Sequence, residues 1–209
     1  LNKAGTSAFK RFFDCGGYVS SHWRCVKGGR CGEGIKKNVD AGRPPFEGLG
    51  GYHAWCEIDG TPPPAVPPPV LTPTASPAAD HDPEKCFFPQ VQALDAIHKH
   101  YPNITFILNT RNPDSWVNSV NHYGKLHDKY TACDFPDLPS GQGGDDAALK
   151  AFMLKHNANV RKFAKAKHHK LVEVDIESPT AGAYLEEAFG ISATCWKKSN
   201  ANPAAHKQA

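Results

Sequence analysis

The first residues of the chain bring together a lysine, a glycine and two hydroxyl side chains, in the run Lys3-Ala4-Gly5-Thr6-Ser7. Gly5 lacks a Cβ, so the backbone can turn tightly there and approach a ligand. Thr6 and Ser7 supply hydroxyl donors and are good N-cap residues for the apolar stretch that follows. Because a helix N-terminus favours an anion and Lys3 adds a mobile positive charge, the run predicts a phosphate-binding turn that leads into a helix.

The order of the lysine and the glycine separates this run from the Walker A loop of nucleotide hydrolases. That loop places its lysine directly after its second glycine, whereas Lys3 precedes Gly5. An ordinary capped helix start is the alternative interpretation of the run. A second anion-binding group elsewhere in the chain would therefore favour the phosphate-binding turn over an ordinary helix start.

Arg111 and Ser119 form a second pair of residues whose types and spacing suit an anion. Arg111 follows an apolar, β-rich run, and Ser119 comes eight residues later, in a helix predicted to begin near Pro113. This spacing can bring a guanidinium and a hydroxyl onto one phosphate, where arginine makes charge-assisted, forked contacts. An arginine that only forms a structural salt bridge is the alternative. With the opening loop, the pair gives two separated anion sites, as a nucleotide with two phosphate groups requires.

The elements that must position these residues alternate between strands and helices. Residues 104–109 and 171–176 are apolar runs of the kind that is buried in a parallel sheet. This alternation predicts an α/β fold, in which ligands bind beyond the carboxyl ends of the strands. Residues 18–51 are predicted to be irregular, and 52–59 to hold a short strand. Apolar residues at helical spacing predict helices at 7–15, 88–100, 113–126, 146–169 and 180–189.

Length and composition predict one globular domain that spans residues 1–209. No apolar run approaches the roughly 20 residues of a membrane span, so no membrane span is expected. The net charge of +3 is mild and does not call for a nucleic-acid partner. Half of the 18 prolines fall between Pro62 and Pro83, which predicts an exposed proline-rich insertion at about 61–85.

The seven cysteines are an odd number, so any monomeric disulfide scheme leaves at least one unpaired. Cys25 and Cys31, with His22 nearby, are the residues that would suggest zinc. Their spacing lacks a matching second pair of ligands, and no metal site is predicted.

The two anion motifs together resemble the sulfotransferases that use 3′-phosphoadenosine 5′-phosphosulfate (PAPS). The 5′-phosphosulfate loop of that family is Lys-x-Gly-Thr-Thr/Ser, which the opening run matches. Its 3′-phosphate motif is a strand ending in Arg-x-Pro with a serine eight residues after the arginine, as in Arg111-Asn112-Pro113 and Ser119. The order and separation of the motifs also fit. The tail Cys195-Trp196-Lys197-Lys198 resembles the family's basic loop that covers the cofactor.

The resemblance implies a fold, a reaction and roles for the matched residues. The fold is an α/β three-layer sandwich, with a central parallel sheet flanked by helices as in P-loop NTPases. The strand that precedes the opening loop in that family is absent from this sequence, so the sheet is expected without its first strand. The reaction is transfer of a sulfuryl group from PAPS to a hydroxyl or amine. The implied cofactor-binding residues are Lys3, Ala4, Gly5, Thr6, Ser7, Arg111, Ser119, Trp196, Lys197 and Lys198, with Lys3 also stabilising charge on the leaving group.

A general base must take the proton of the acceptor, and a histidine or carboxylate is the expected type. Glu57 and His53 are the favoured candidates, because they lie between the two cofactor motifs, and Asp59 ranks behind them. His122, one helical turn after Ser119, is a weaker candidate. His168 and His169 flank a basic helix and are expected to be solvated.

Two other functions stay open from the sequence. A nucleotide or small-molecule kinase would also use a loop and a helix N-terminus, but it would need the Walker lysine and a carboxylate for Mg²⁺. A non-catalytic anion- or glycan-binding relative would keep the fold without turnover. The acceptor of a sulfotransferase is expected to be a small molecule or a glycan. The cysteines and the sequon at Asn103 suit a Golgi-lumenal enzyme, and a cytoplasmic location is the alternative.

Overall fold

The computed structural model of the protein describes residues 1–26, 29–59 and 86–197. Within these ranges helices alternate with short parallel strands, which confirms the predicted α/β class. Strands β1 to β4 are Ser20–His22, Ala54–Cys56, Phe106–Thr110 and Leu171–Asp175. Helices α1 to α8 are Thr6–Cys15, Cys31–Asp40, Pro89–Gln92, Leu94–His100, Pro113–Asn121, Gly124–Ala132, Asp146–Ala166 and Ala181–Phe189. None of the helices in the described ranges has the length and hydropathy of a membrane span.

The four strands lie in two separate parallel pairs. Strand β1 pairs with β2, with Ser20 opposite Ala54, and β3 pairs with β4, with Phe106 opposite Leu171. The described residues therefore contain two two-stranded sheets where one central sheet is predicted. Strand β4 forms within the predicted range, but only one of its faces is buried: its residues alternate between partly or fully exposed and buried positions, with Val172 and Val174 in the core.

A slot of about 520 Å³ separates the two sheets. It is lined by residues 54–58, which include β2, and by residues 105–109, which include most of β3. Helix α1 closes one side of the slot with Phe9 and Phe13. The polar side chains that line it include Gln90, whose buried Oε1 has no hydrogen-bond partner among the described residues, and His156, whose pKa burial lowers to about 3.

The core divides into three groups of buried side chains. Trp116 and Tyr130 centre the first, where α5, α6 and α7 meet. Phe12 and Leu185 belong to the second, in which α1 and α8 pack around β4. Ile35 of α2 belongs to the third, with aromatic residues of the neighbouring loops.

The cysteines form three disulfides, Cys15–Cys195, Cys25–Cys31 and Cys86–Cys133, which leave Cys56 buried and unpaired. The prediction of at least one unpaired cysteine is therefore confirmed. Because Cys25 and Cys31 are bonded to each other, their sulfurs are not available as thiolate ligands for zinc.

Several sequence-based boundaries were wrong. Helix α2 lies inside the segment 18–51 that was predicted to be irregular. Its two glycines weaken the helical signal, but Ile35 is fully buried, and a Cβ on Gly34 would lie 2.4 Å from Leu49 Cδ2. The predicted helices 88–100 and 113–126 are each divided, at Ala93 and between Asn121 and Gly124.

Candidate active site

A cavity of about 700 Å³ brings the two predicted anion motifs together. The opening loop and the start of α1 contribute Lys3, Gly5, Thr6 and Ser7 to its wall. The end of β3 contributes Arg111, and α5 contributes Ser119. The motifs are more than a hundred residues apart in the chain, so only the fold makes them neighbours. The cavity is also lined by charged and aromatic side chains from other elements: Glu57, Asp59, His22, Trp23, Arg30, Tyr123, Lys125, Lys129, Glu177 and Trp196.

The opening loop turns its carbonyl oxygens towards β3 and α5. Asn109 Nδ2 donates hydrogen bonds to the carbonyls of Leu1 and Ala4. Trp116 Nε1 donates to the carbonyl of Asn2 at 2.8 Å, and Arg111 donates to that of Lys3 at 3.1 Å. Since the N–H and C=O of a trans peptide point in opposite directions, these bonds direct the loop amides away from β3 and α5.

Two residues of the loop have left-handed backbone conformations, Lys3 with φ of 62° and Gly5 with φ of 86°. Such residues beside right-handed ones make a concave group of N–H donors that can bind an anion. Gly5 is also the N-cap of α1, so the first free amides of this ten-residue helix follow directly. The loop therefore offers backbone N–H groups, the positive end of a helix dipole and the Lys3 ammonium together.

Thr6 and Ser7 do not cap α1, contrary to the sequence-based interpretation. Gly5 occupies the N-cap position, and no side chain caps the helix. Thr6 Oγ1 instead donates to Glu57 Oε2 at 2.6 Å, and Ser7 Oγ lies 3.1 Å from His22 Nε2. Both hydroxyls thus point across the cavity to groups that follow β2 or end β1.

Glu57 follows β2 directly and connects the opening loop with β1. Its Oε2 lies 2.9 Å from His22 Nε2, in addition to the Thr6 bond. Burial acts to raise the pKa of Glu57, but the hydrogen bonds from His22 and Thr6 and the charges of His22 and Lys3 together lower it below its usual value. The carboxylate is therefore held ionised beside the opening loop. Glu57 also has a φ of 52°, which is uncommon for a residue other than glycine.

Lys3 lies near one basic group, one carboxylate and one aromatic ring. Burial, followed by the charge of Arg111, lowers the pKa of its ammonium, and Glu57 opposes this shift. Its Nζ is 5.1 Å from the centre of the Tyr123 ring, at cation–π distance. A bound anion would relieve the repulsion between Lys3 and Arg111.

Arg111 forms the structural ion pair that the sequence left open as an alternative, because its Nε donates to Glu177 Oε1 at 2.9 Å. It also donates to the carbonyl of Lys3, and it lines the cavity together with Ser119. Its role as a phosphate ligand stays a prediction. Glu177 also accepts a hydrogen bond from the backbone N–H of Asn112, which orients the pair at the end of β3.

Asp59 and Lys129 form a buried ion pair in the same cavity. Lys129 Nζ lies 3.1 Å from Asp59 Oδ2, and both residues are less than a tenth exposed. Burial lowers the pKa of Lys129, and the Asp59 charge opposes that shift. Asp59 therefore compensates a buried cation, and its ranking behind Glu57 as a candidate base stays a prediction.

The tail residues predicted to cover a cofactor are only partly described. Trp196 lines the cavity and packs edge-on against Phe9 of α1, with ring centres 5.0 Å apart. The Cys15–Cys195 disulfide joins the residue before it to the last residue of α1. Lys197 is exposed, and Lys198 lies outside the described residues, as does the whole proline-rich stretch predicted at 61–85.

The histidine candidates lie away from this cavity. His53 is exposed beside Tyr18, and its Nδ1 accepts a hydrogen bond from the backbone N–H of Val19. His122 is exposed at the C-terminus of α5 and contacts the carbonyl of Asn118. His168 is exposed, as expected, but the expectation that His169 is solvated was wrong: it is buried, with Nε2 2.9 Å from His98 Nδ1.

Sequence reasoning did not identify His22, Arg30 or Glu177 as members of this site. His22 ends a three-residue strand in a segment that was predicted to be irregular, so its approach to Glu57 had no sequence signal. Glu177 follows a predicted strand by one residue, and that position was the available signal. Together, the cationic loop, the ionised Glu57 and the paired Arg111 suit transfer of an anionic group to an acceptor that loses a proton.

Comparison with known proteins gives one match. A family model described as "Sulfotransferase domain" matches residues 85–137, which include Arg111 and Ser119 but not the opening loop. The match covers 53 of the 209 residues, so it supports the resemblance of the two motifs to sulfotransferases over that part of the chain, with sulfuryl transfer as the general activity it suggests. A search of curated proteins and a search of solved structures each found no match.

Proposed function

We propose that the protein transfers a sulfuryl group from PAPS to a hydroxyl or amine of an acceptor. The observation that carries this proposal is the opening loop, whose four carbonyls from Leu1 to Ala4 accept hydrogen bonds from side chains at the end of β3 and in α5. A loop so held offers its amides to an anion, and Arg111 and Ser119 line the same cavity for a second one. This arrangement fits a nucleotide with a 5′ phosphosulfate and a 3′ phosphate.

The residues of the site have distinct roles in the proposed reaction. PAPS supplies the sulfuryl group when it is bound. The loop amides and Lys3 hold the 5′ side, and Lys3 stabilises negative charge on the oxygen from which the sulfuryl group departs. Arg111 and Ser119 hold the 3′ phosphate, and Trp196 covers the cavity beside α1.

Glu57 is the proposed proton acceptor. It is ionised, lines the cavity and lies within hydrogen-bond distance of Thr6, whereas His53 does not line this cavity. As the acceptor oxygen or nitrogen forms its bond to sulfur, its proton passes to Glu57. His22 contacts the same carboxylate oxygen and orients it.

The two sheets are also proposed to be parts of one central parallel sheet in a three-layer sandwich. The slot between β2 and β3 would be the position of one further strand. Supporting this, β2 and β3 both face the slot, and Gln90 and His156 line it with polar atoms. Residues 1–209 are proposed to form a single domain.

The three disulfides favour an oxidising compartment such as the Golgi lumen over the cytoplasm. The sequon residue Asn103 is exposed, which suits the same location. We therefore propose a lumenal enzyme that acts on a small-molecule or glycan acceptor.

Calorimetric titration with adenosine 3′,5′-bisphosphate and, separately, with Mg-ATP tests the proposal. Wild-type protein should bind the bisphosphate and prefer it to Mg-ATP, and Arg111→Ala should weaken bisphosphate binding by about tenfold to a hundredfold. Arg161→Ala is the matched control, because Arg161 also forms an ion pair, with Glu173, but does not line the cavity.

A preference for Mg-ATP would contradict the proposal and favour a kinase. Tight bisphosphate binding without turnover of any acceptor would favour the non-catalytic anion-binding relative. Equal losses in Arg111→Ala and Arg161→Ala would show that the arginine effect is not local to the cavity.

A further inference from the structure

Trp23 and Arg30 line the active-site cavity from the side of β1, whereas Arg111 and Ser119 line it from β3 and α5. Trp23 follows His22 directly, and its backbone N–H donates to the carbonyl of Glu57 at 2.9 Å. Trp23 therefore follows His22 in the chain, is bonded through its backbone to the proposed proton acceptor, and lines the same cavity as that residue. It is 37% exposed, which is unusually open for a tryptophan in a folded chain.

Covalent and backbone bonds fix residues next to Trp23 and Arg30. The Cys25–Cys31 disulfide joins two of these residues, and Cys31 is the first residue of α2. The N–H of Cys31 donates to the carbonyl of Trp23 at 3.1 Å, and the N–H of Cys25 donates to that of Gly29. Trp23 and Arg30 thus have a defined position at the cavity wall.

The carboxylates that line the cavity are already engaged. Glu57 accepts from Thr6 and contacts His22, Asp59 pairs with Lys129, and Glu177 pairs with Arg111.

Arg30, in contrast, has no ion pair with any residue of the described ranges. Its guanidinium lies 4.8 Å from the centre of the Trp23 ring, and its charge contributes to the lowered pKa of Lys129. An uncompensated guanidinium next to a partly exposed ring, inside a cavity, is suited to a ligand that has both an anionic group and a ring.

Resting on the proposed sulfotransferase function, we propose that Trp23 and Arg30 form the acceptor subsite and select an acceptor with an anionic ring. Arg30 would bind a carboxylate or sulfate of the acceptor through its forked N–H groups. The indole of Trp23 would pack against the ring, and the adjoining Glu57 would receive the proton of the reacting hydroxyl. A uronic-acid saccharide and an acidic phenol both have this chemistry.

Two matched pairs of probes test this subsite and distinguish the two sources. The saccharide pair is a hyaluronan hexasaccharide and its carboxyl-reduced, neutral form. The phenol pair is 4-hydroxyphenylacetate and its methyl ester. Binding is measured by calorimetry in the presence of saturating adenosine 3′,5′-bisphosphate, so the readout does not depend on turnover.

Wild-type protein should bind the anionic member of at least one pair about tenfold to a hundredfold more tightly than the neutral member. Arg30→Ala should remove this preference, and Arg30→Lys should restore only part of it because lysine lacks the fork. Arg24→Ala is the matched control: Arg24 lies at the same 4.8 Å from the Trp23 ring but does not line the cavity, so the preference should survive.

The pair that shows the preference identifies the acceptor as saccharide or phenol. Equal binding of anionic and neutral probes, no binding of any probe, or a preference that survives Arg30→Ala would overturn the acceptor subsite. In each of these cases retained bisphosphate binding would leave the proposed function standing. Loss of bisphosphate binding in the wild type would instead contradict the function itself.

Discussion

The conformation of Gly5 gives the sharpest test of the opening loop. Gly5→Ala places a Cβ on a residue with φ of 86°, a left-handed conformation that costs a non-glycine residue about 1–2 kcal/mol. The new Cβ would also lie 3.1 Å from Ile176 Cγ2, which is tighter than an ordinary contact. Either that side chain or the loop must move by a few tenths of an ångström, and movement of the loop would misalign the amides that face the anion.

Gly17→Ala is the matched control for this substitution. Gly17 has nearly the same φ, 81°, but a Cβ added there would meet open space within 4 Å, and the residue does not line the cavity. The unfolding free energy of both variants, measured in urea, should therefore fall by about 1 kcal/mol. The loss is smaller than the backbone strain alone, because alanine also lowers the conformational entropy of the unfolded chain. Gly5→Ala should lose up to about 1 kcal/mol more from the contact with Ile176.

Binding of the bisphosphate separates the two variants further. Loss or distortion of one charge-assisted hydrogen bond costs about 1.5–3 kcal/mol, so Gly5→Ala should bind about tenfold to a hundredfold more weakly. Gly17→Ala should bind like the wild type in the same calorimetric assay. Wild-type affinity in Gly5→Ala, with its stability reduced as expected, would refute the assignment of the loop as the anion site.

Three other predictions concern charges and cross-links around the cavity. Asp59→Ala should cost about 1.5–3 kcal/mol of unfolding free energy, because it removes a hydrogen bond between Lys129 and a charged group. Adding Lys129→Met should recover part of this loss, and no recovery in urea titrations would argue against the pair. Because the pKa of Glu57 is lowered, its ionisation stabilises the fold above the usual carboxyl pKa, and this contribution disappears as pH falls through the lowered value. The stability difference between wild type and Glu57→Gln should thus shrink below about pH 4, and a difference constant from pH 7 to 3 would exclude such coupling. The double variant Cys15→Ser/Cys195→Ser should lower the unfolding free energy by about 2–5 kcal/mol, and it should also weaken bisphosphate binding because Trp196 follows Cys195. The double variant Cys86→Ser/Cys133→Ser should lower the unfolding free energy without weakening bisphosphate binding.

Local sequence patterns were enough to predict the elements that carry the two motifs. Helix α1 begins within one residue of its predicted start, because a glycine and an apolar face mark it. Strand β4 is predicted by a short apolar run, and helix α7 by apolar residues at helical spacing. In these segments the local preference and the tertiary environment agree, which is the condition under which a single sequence is informative.

The missed elements are those that depend on distant partners. Helix α2 contains two glycines, and its formation rests on burial of Ile35 and on the close approach of Leu49 to Gly34. Strand β1 is three residues long and exists through its pairing with β2, more than thirty residues later. Neither the disulfide pairing nor the contact between His22 and Glu57 can be read from spacing, since each requires the fold first.

The opening loop shows how the two levels combine in one site. Its residue types predicted an anion-binding turn, but those residues alone could not direct the carbonyls away from the cavity. Asn109, Arg111 and Trp116 do so, and they belong to the second motif and the helix that follows it. The two motifs are therefore not independent anion sites placed in one cavity, because the second motif also holds the backbone of the first.

A substitution at Arg111 should then weaken binding at both ends of the nucleotide. A loss of affinity confined to the 3′ phosphate would contradict this prediction. Comparing adenosine 3′,5′-bisphosphate with adenosine 5′-phosphate on Arg111→Ala distinguishes these outcomes, since only the coupled arrangement predicts weaker binding of the 5′-monophosphate.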